Sequence, residues 1–167
     1  HDLIWARVDK STAADRMIEE IGKFGTEDGL RDLVLRFGDA SAQPRTEALV
    51  MSIARFAIRG ITAHEATEYI INKIKPADRA QWQSVYALQR IGDKPEVRSE
   101  IDDIAQLFKH ENSLVRLNVA TLLGKVKDER SSIDPLLKLV EFDGDWRVRV
   151  NALRALANFK LDGKDEV

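Results

Sequence analysis

Cysteine is absent from the 167 residues. That removes disulfides and thiolate metal sites, and it leaves no cue to redox compartment. No apolar run approaches the ~18 residues that cross a bilayer, so membrane insertion is not expected. Charge of one sign is also lacking: the formal net charge is −2, which gives no global pull toward nucleic acid or an anionic surface. Strand signals are nearly missing, with no sustained apolar/polar alternation and no Asn-Gly or Asp-Gly hairpin between β-branched runs. No glycine-rich phosphate loop and no nucleophile elbow occurs.

What is present is an ordinary globular mixture, 44% hydrophobic and 32% charged, written as helices with short breaks. The chain opens on His1 with neither methionine nor signal peptide and reads as part of a longer protein; the compartment is left open, with the cytoplasm slightly favoured. Helices are expected from Thr12 to Phe24 with a stop at Gly25, from Thr26 to Phe37 with a stop at Gly38, and from Pro44 to Ile58. Thr62-Ala63-His64-Glu65 has capping-box form, and its helix runs to about Lys75. Further helices follow from Pro76 to Gly92, from Pro95 to His110, from Asn112 or Ser113 to Val126, from Ser131 or Ser132 to Phe142 with Pro135 in its first turn, and from Asp143 or Asp145 to about Lys160. Links of a few residues make successive helices antiparallel neighbours.

An internal repeat orders them. Ser113 to Gly124 aligns with Trp146 to Ala157 so that Val115-Arg116 falls on Val148-Arg149 and Asn118 on Asn151, 33 residues apart. Ile101-Asp-Asp-Ile104 resembles Ile133-Asp-Pro-Leu136 upstream of each. Fainter copies place Tyr86 to Gly92 and Leu49 to Phe56 on the last helix. The expected fold is all-α, a single-domain superhelix of about four to five antiparallel helix pairs, with approximate limits 1–24, 26–59, 62–92, 95–127 and 131–160. Its core comprises Val115, Val119, Leu123, Val126, Val148, Ala152, Leu156 and Phe159, with Ala120, Gly124, Ala155 and Ala157 allowing close approach.

The pattern of a short helix, an aspartate-bearing turn and Val-Arg-x-x-Ala-x-x-x-Leu resembles HEAT repeats, in particular the short HEAT-like repeats of phycobilisome-lyase type. Ile133 to Phe159 is the best match and Ile101 to Val126 the next; Arg45 and Gln83 depart from the pattern where it wants valine. The resemblance implies an α-solenoid used for protein–protein interaction. Some relatives bind nucleic acid, and a few act as lyases or glycosylases.

Candidate sites are few. His64 and Glu68 lie i, i+4 on one helix face, but two ligands do not make a metal site and no second histidine completes H-E-x-x-H; His110 follows Lys109 in a last turn. No catalytic, cofactor or metal residue is assigned. Arg116 and Arg149 share one repeat position and are expected to form a structural ladder with backbone carbonyls or with Asp143 and Asp145. The second helices are expected to line the concave face, with Met51, Arg55, Arg59, Gln89, Thr121, Lys125, Arg154 and Asn158 turned outward as a partner-binding strip. Trp146 is expected to pack on the neighbouring pair, and Trp5 to cover the first pair or to contact residues outside this chain. Leu153 and Leu161 are apolar where a terminal repeat would be polar, which implies further chain. From 113 to 160, Lys and Arg number nine and Asp and Glu six, too small an excess to argue for DNA or RNA. The function expected is a non-catalytic scaffold or adaptor with a protein partner. The alternatives are a HEAT-like nucleic-acid or DNA-repair module and a chromophore-lyase-like subunit.

Overall fold

The computed structural model describes residues 14–38, 45–75 and 77–159. Expectations that fall on His1, Trp5, Thr12, Pro44, Pro76, Lys160 and Leu161 lie outside them. Among the described residues there are ten α-helices and no strand: α1 (Ala14–Phe24), α2 (Glu27–Phe37), α3 (Thr46–Ile58), α4 (His64–Lys73), α5 (Trp82–Ile91), α6 (Pro95–Ser99), α7 (Ile101–Gln106), α8 (Ser113–Val126), α9 (Glu129–Phe142) and α10 (Trp146–Leu156). Short 3-10 turns at Ala77–Arg79 and Leu107–Lys109 precede α5 and α8.

The helices form two layers. In one, α1 packs on α3, α3 on α5, α5 on α8 and α8 on α10; in the other, α2 packs on α4, α4 on α6, and α7 on α9. In addition α2 packs on α3, α4 on α5, α7 on α8 and α9 on α10. This is an all-α helical repeat solenoid, in which a pair buries its apolar flanks only against its neighbours. Ile18, Leu49, Ile53, Val85, Leu88, Val115, Val119, Leu122, Leu123, Val148 and Ala152 carry the core along the first layer and are buried. Of the expected core, Leu156 is half-buried, and Ala157, expected at a close approach, is exposed.

Close approach is set by missing side chains. A Cβ on Gly124 would lie 2.6 Å from the Cβ and 2.7 Å from the Cα of Ala155, and one on Gly22 would lie 2.8 Å from the Cα of Ser52. Helices α8 and α10, and α1 and α3, therefore meet backbone to backbone.

Local rules explain the boundaries, including four that depart from expectation. Thr26 caps α2 by accepting from Gly29 N, and Asn112 caps α8 by accepting from Leu114 N. The capping box does not form: Ala63 stands at the N-cap of α4, and Thr67 returns its hydroxyl to Ala63 O. Helix α5 starts at Trp82 rather than at Pro76, after the 3-10 turn. The stretch from Pro95 breaks at Glu100: Ser99 Oγ donates to Glu96 O at 2.9 Å, the carbonyl that Glu100 N would take, and Glu100 N turns to Val97 O. Helix α9 begins at Glu129, because Asp128 accepts from Ser131 N at 2.9 Å. Pro135 consequently sits inside the helix, buried, beyond its first turn.

Replacing Gly124 tests the close approach. Alanine gains roughly 1 kcal/mol of helix propensity against a crowding cost of similar size. Leucine has no such offset, so Gly124→Leu is expected to cost about 3 kcal/mol, read as a lowered urea midpoint with helicity retained below it.

Candidate interaction surfaces

The second helices α1, α3, α5, α8 and α10 run parallel, so their C-terminal carbonyls lie side by side. Such carbonyls lack intrahelical partners and carry partial negative charge. Side chains from the following helix reach back to them. Arg59 Nη1 donates to Lys23 O at 2.5 Å and its Nη2 to Gly25 O. Lys125 Nζ donates to Gln89 O at 2.7 Å, and Asn158 Nδ2 to Gly124 O at 3.1 Å. Arg55 adds an ion pair to Glu19 at 2.7 Å and a bond to Glu19 O. Four of the residues expected to face a partner thus also staple adjacent repeats. Of the others, Met51 is half-buried, Thr121 returns its hydroxyl to Leu117 O at 3.0 Å, and Arg154 is exposed. Gln89 does not turn outward: its side chain is buried. Trp146, expected to pack on the neighbouring pair, is 64% exposed.

Trp82, Tyr86 and Arg90, spaced i, i+4, i+8, lie along one flank of α5 instead; Arg90 is exposed, and Trp82 and Tyr86 are half-buried against the core. Trp82 meets Tyr86 edge-on with centroids 6.4 Å apart, and the Arg90 guanidinium lies 4.9 Å from the centre of the Tyr86 ring. Arg90 makes no ion pair among the described residues, and beside it Lys125 is pulled below the ordinary lysine pKa, first by burial and then by the Arg90 charge. The stripe is hidden in the repeat alignment because weak identities set the rotation of α5 one position off; the i, i+4, i+8 aromatic–cation spacing is the signal that marks it.

Arg116 makes the densest polar junction. It grips the carboxylate of Asp143 with two parallel bonds, Nε to Oδ2 at 2.6 Å and Nη2 to Oδ1 at 2.9 Å, while Nη1 donates to His110 O at 2.7 Å and Glu111 O at 2.8 Å. The Asp143 side chain is 2% exposed and that of Arg116 16%. Asp143 Oδ1 also accepts from Asp145 N at 2.9 Å, so the turn between α9 and α10 is fixed to the start of α8. The Arg116 guanidinium holds the Asp143 carboxyl below its usual range. Arg149, at the equivalent position, donates Nη1 to Asp143 O at 2.7 Å. Asp145 pairs with Arg147 at 2.7 Å and caps α10 by accepting from Arg147 N.

On the opposite side, an open groove of about 480 Å³ runs between α4 and α6, lined by His64, Glu68, Asn72, Glu96 and Glu100. His64 Nδ1 contacts Glu96, and its Nε2 lies 3.3 Å from Glu68. The hydrogen bond to Glu96 and then the Glu68 charge raise the imidazole pKa above 6.5. Among the described residues, no group of three or more His, Cys, Asp or Glu is arranged to hold a metal ion. His110 Nδ1 accepts from Asn112 N at 3.0 Å, which serves the turn into α8.

The fold and these junctions define a helical repeat solenoid. Residues 101–167, which include α7 to α10 and make up less than half of the chain, match the family model for HEAT repeats. HEAT repeats generally mediate protein–protein interaction and are generally non-enzymatic scaffolds. No curated protein and no solved structure matches the chain. Among the described residues, no helix is long and apolar enough to cross a membrane.

Two titrations follow. Removing one member of the Arg116–Asp143 pair leaves a buried charge unpaired, so Asp143→Ala is expected to cost about 3 kcal/mol at neutral pH. Because the folded pKa of Asp143 is lowered, its stabilisation is present above the ordinary value of 3.8 and is lost as pH falls through the folded value. The gap between wild type and variant in urea unfolding should therefore be constant near neutrality and close in acid. For His64, an NMR titration should give a midpoint above 6.5 that falls in Glu96→Gln.

Proposed function

We propose that this chain is a non-catalytic protein–protein interaction scaffold that holds its partner on the outer face of the second helices. The observation that carries this reading is the Trp82–Tyr86–Arg90 stripe beside Lys125. Trp, Tyr and Arg are the residues most often found at the energetic centre of interfaces. Here they stand together on the middle helix of the layer, with no carboxylate paired to the Arg90 cation among the described residues. Met51, Arg55 and Arg59 flank the stripe on the α1 side, and Thr121, Arg154 and Asn158 on the α10 side. The partner that fits is a protein segment offering an acidic side chain to Arg90 and an apolar one to the aromatic pair.

A nucleic-acid or DNA-repair role would need a row of free cations. Arg55, Arg59 and Lys125 are already engaged with Glu19 or with carbonyls of the preceding helix. The likeness to short repeats of phycobilisome-lyase type, and with it a lyase-like role, rests on the resemblance of Ile133 to Phe159 and of Ile101 to Val126.

The experiment is site-directed photo-crosslinking in extract of the source cells, with the reactive group at Tyr86 and, as a control, at exposed Leu35 on α2. A discrete protein adduct at position 86, absent at 35 and reduced about tenfold or more by Arg90→Glu, is the expected result. Equal labelling at both positions would overturn the reading. So would micromolar, steeply salt-sensitive binding to duplex DNA in place of a protein adduct.

A further inference from the structure

Between the pair α4–α5 and the pair that ends in α8, the first layer is interrupted. Its helix there is split into α6 and α7 at Glu100, where Ser99 Oγ takes the Glu96 carbonyl. The two pieces serve opposite neighbours, since α6 packs on α4 and α7 on α9. First-layer continuity between the two halves of the solenoid therefore runs through that break. Two open spaces lie along the seam: the groove between α4 and α6, and a cleft of about 310 Å³ lined by Ile74, Lys75, Asp103, Ile104 and Leu107. The second layer is continuous at the same place. Helix α5 packs directly on α8, and Val85, Leu88, Val115 and Val119 are fully buried.

Polar bridges close the first-layer side. Lys75 donates to Glu100, and His64 joins Glu68 of its own helix to Glu96 of α6. Only the imidazole titrates near neutrality. An imidazolium has two N–H donors, one for each carboxylate; a neutral ring has one donor and one lone pair. Deprotonation leaves Glu68 or Glu96 facing that lone pair. Most neighbouring cations are already engaged. On α2, Arg31 is shared among Glu27, Asp28 and Glu65. Lys75 is held by Glu100, and Arg98 turns to Asp93 and the Val126 carbonyl. Arg90, the one charged residue of α5, lies against Tyr86. Lys94, at the N-cap of α6, acts on Glu96 by charge alone.

We propose that this seam is a pH-gated hinge: protonated His64 clasps α4 to α6 and holds the first layer closed, and the neutral ring releases the clasp so that the two halves of the solenoid swing apart about α5 and α8. The sign follows from the imidazole. Its hydrogen bond to Glu96, then the Glu68 charge, raise its pKa above 6.5. The clasp is thus fully present below 6.5 and is lost as pH rises through the folded value. Lys125 reaches across the pivot to Gln89 O, so the swing alters the spacing of the helices that carry Arg90 and Lys125. The hinge does not depend on a partner binding there.

The chain has no cysteine, so two introduced cysteines take spin labels without background. Labels at Asn72→Cys on α4 and Asp103→Cys on α7 span the hinge; labels at Gln106→Cys and Lys138→Cys lie on one side of it. All four positions are exposed. Dipolar spectroscopy at low ionic strength, from about pH 6 to about pH 9, should show a longer hinge distance growing in as pH rises. The ratio of closed to open molecules should fall about tenfold for each unit by which the His64 pKa of the closed form exceeds that of the open form. The second label pair should not respond. His64→Gln should give the high-pH distribution throughout, and His64→Lys, a lasting cation, the low-pH one. A wild-type hinge distance that ignores pH overturns the proposal. So does an equal response in His64→Gln, or in the second label pair. None of these results alters the crosslinking expected at Tyr86.

Discussion

Every helix pair in this chain has flanks it cannot cover itself, and the structure follows from how neighbouring pairs cover them. The second helices α1, α3, α5, α8 and α10 do most of this work, packed in parallel at distances short enough that Gly22 and Gly124 admit no side chain. Parallel packing carries an electrostatic cost: helix dipoles align and their unpaired C-terminal carbonyls gather on one edge. The side chains of Arg59, Lys125 and Asn158 offset it by donating to those carbonyls from the next helix along. Close packing and carbonyl stapling are thus two consequences of the same arrangement.

Polar residues at recurring positions acquire meaning from that stack. Arg116 and Arg149 are equivalent in sequence and different in circumstance: one is enclosed between repeats with Asp143, the other has the same backbone contact and no carboxylate partner among the described residues. Asp143 and Asp145 divide the labour of one turn, the first bridging repeats and the second capping α10. The flank of α5 with half-buried Trp82 and Tyr86 ends in the exposed Arg90.

The helical class, the pairing and the 33-residue spacing of the last two repeats were legible in the sequence, because Val115, Val119, Val148 and Ala152 repeat a buried pattern whose period is local. Arg116, Arg149, Asp143 and Asp145 were expected together, with the two aspartates as local candidates for Arg149; in the structure the Asp143 carboxylate is held by Arg116, and Arg149 takes the Asp143 carbonyl. Other features depend on neighbours the sequence does not display. Gln89 is inside and Arg90 outside because α8 and α3 fix the rotation of α5, and the identities linking Tyr86 to Asn151 were too few to set it. The caps at Ala63 and Asp128 and the break at Glu100 turn on which of several nearby hydroxyls and carboxylates captures a backbone group. The placement of Arg55, Arg59, Lys125 and Asn158 against a preceding helix is a contact across roughly one repeat, visible only once the helices are side by side.

Nearest-neighbour stacking is tested most directly by native-state amide exchange. In Leu136→Ala, which empties a fully buried position of α9, the loss of about 2–5 kcal/mol should appear as reduced protection in α9 and α10, fade through α8, and leave α1 and α3 unchanged. An equal loss of protection in every helix would contradict the account and show a single cooperative bundle instead.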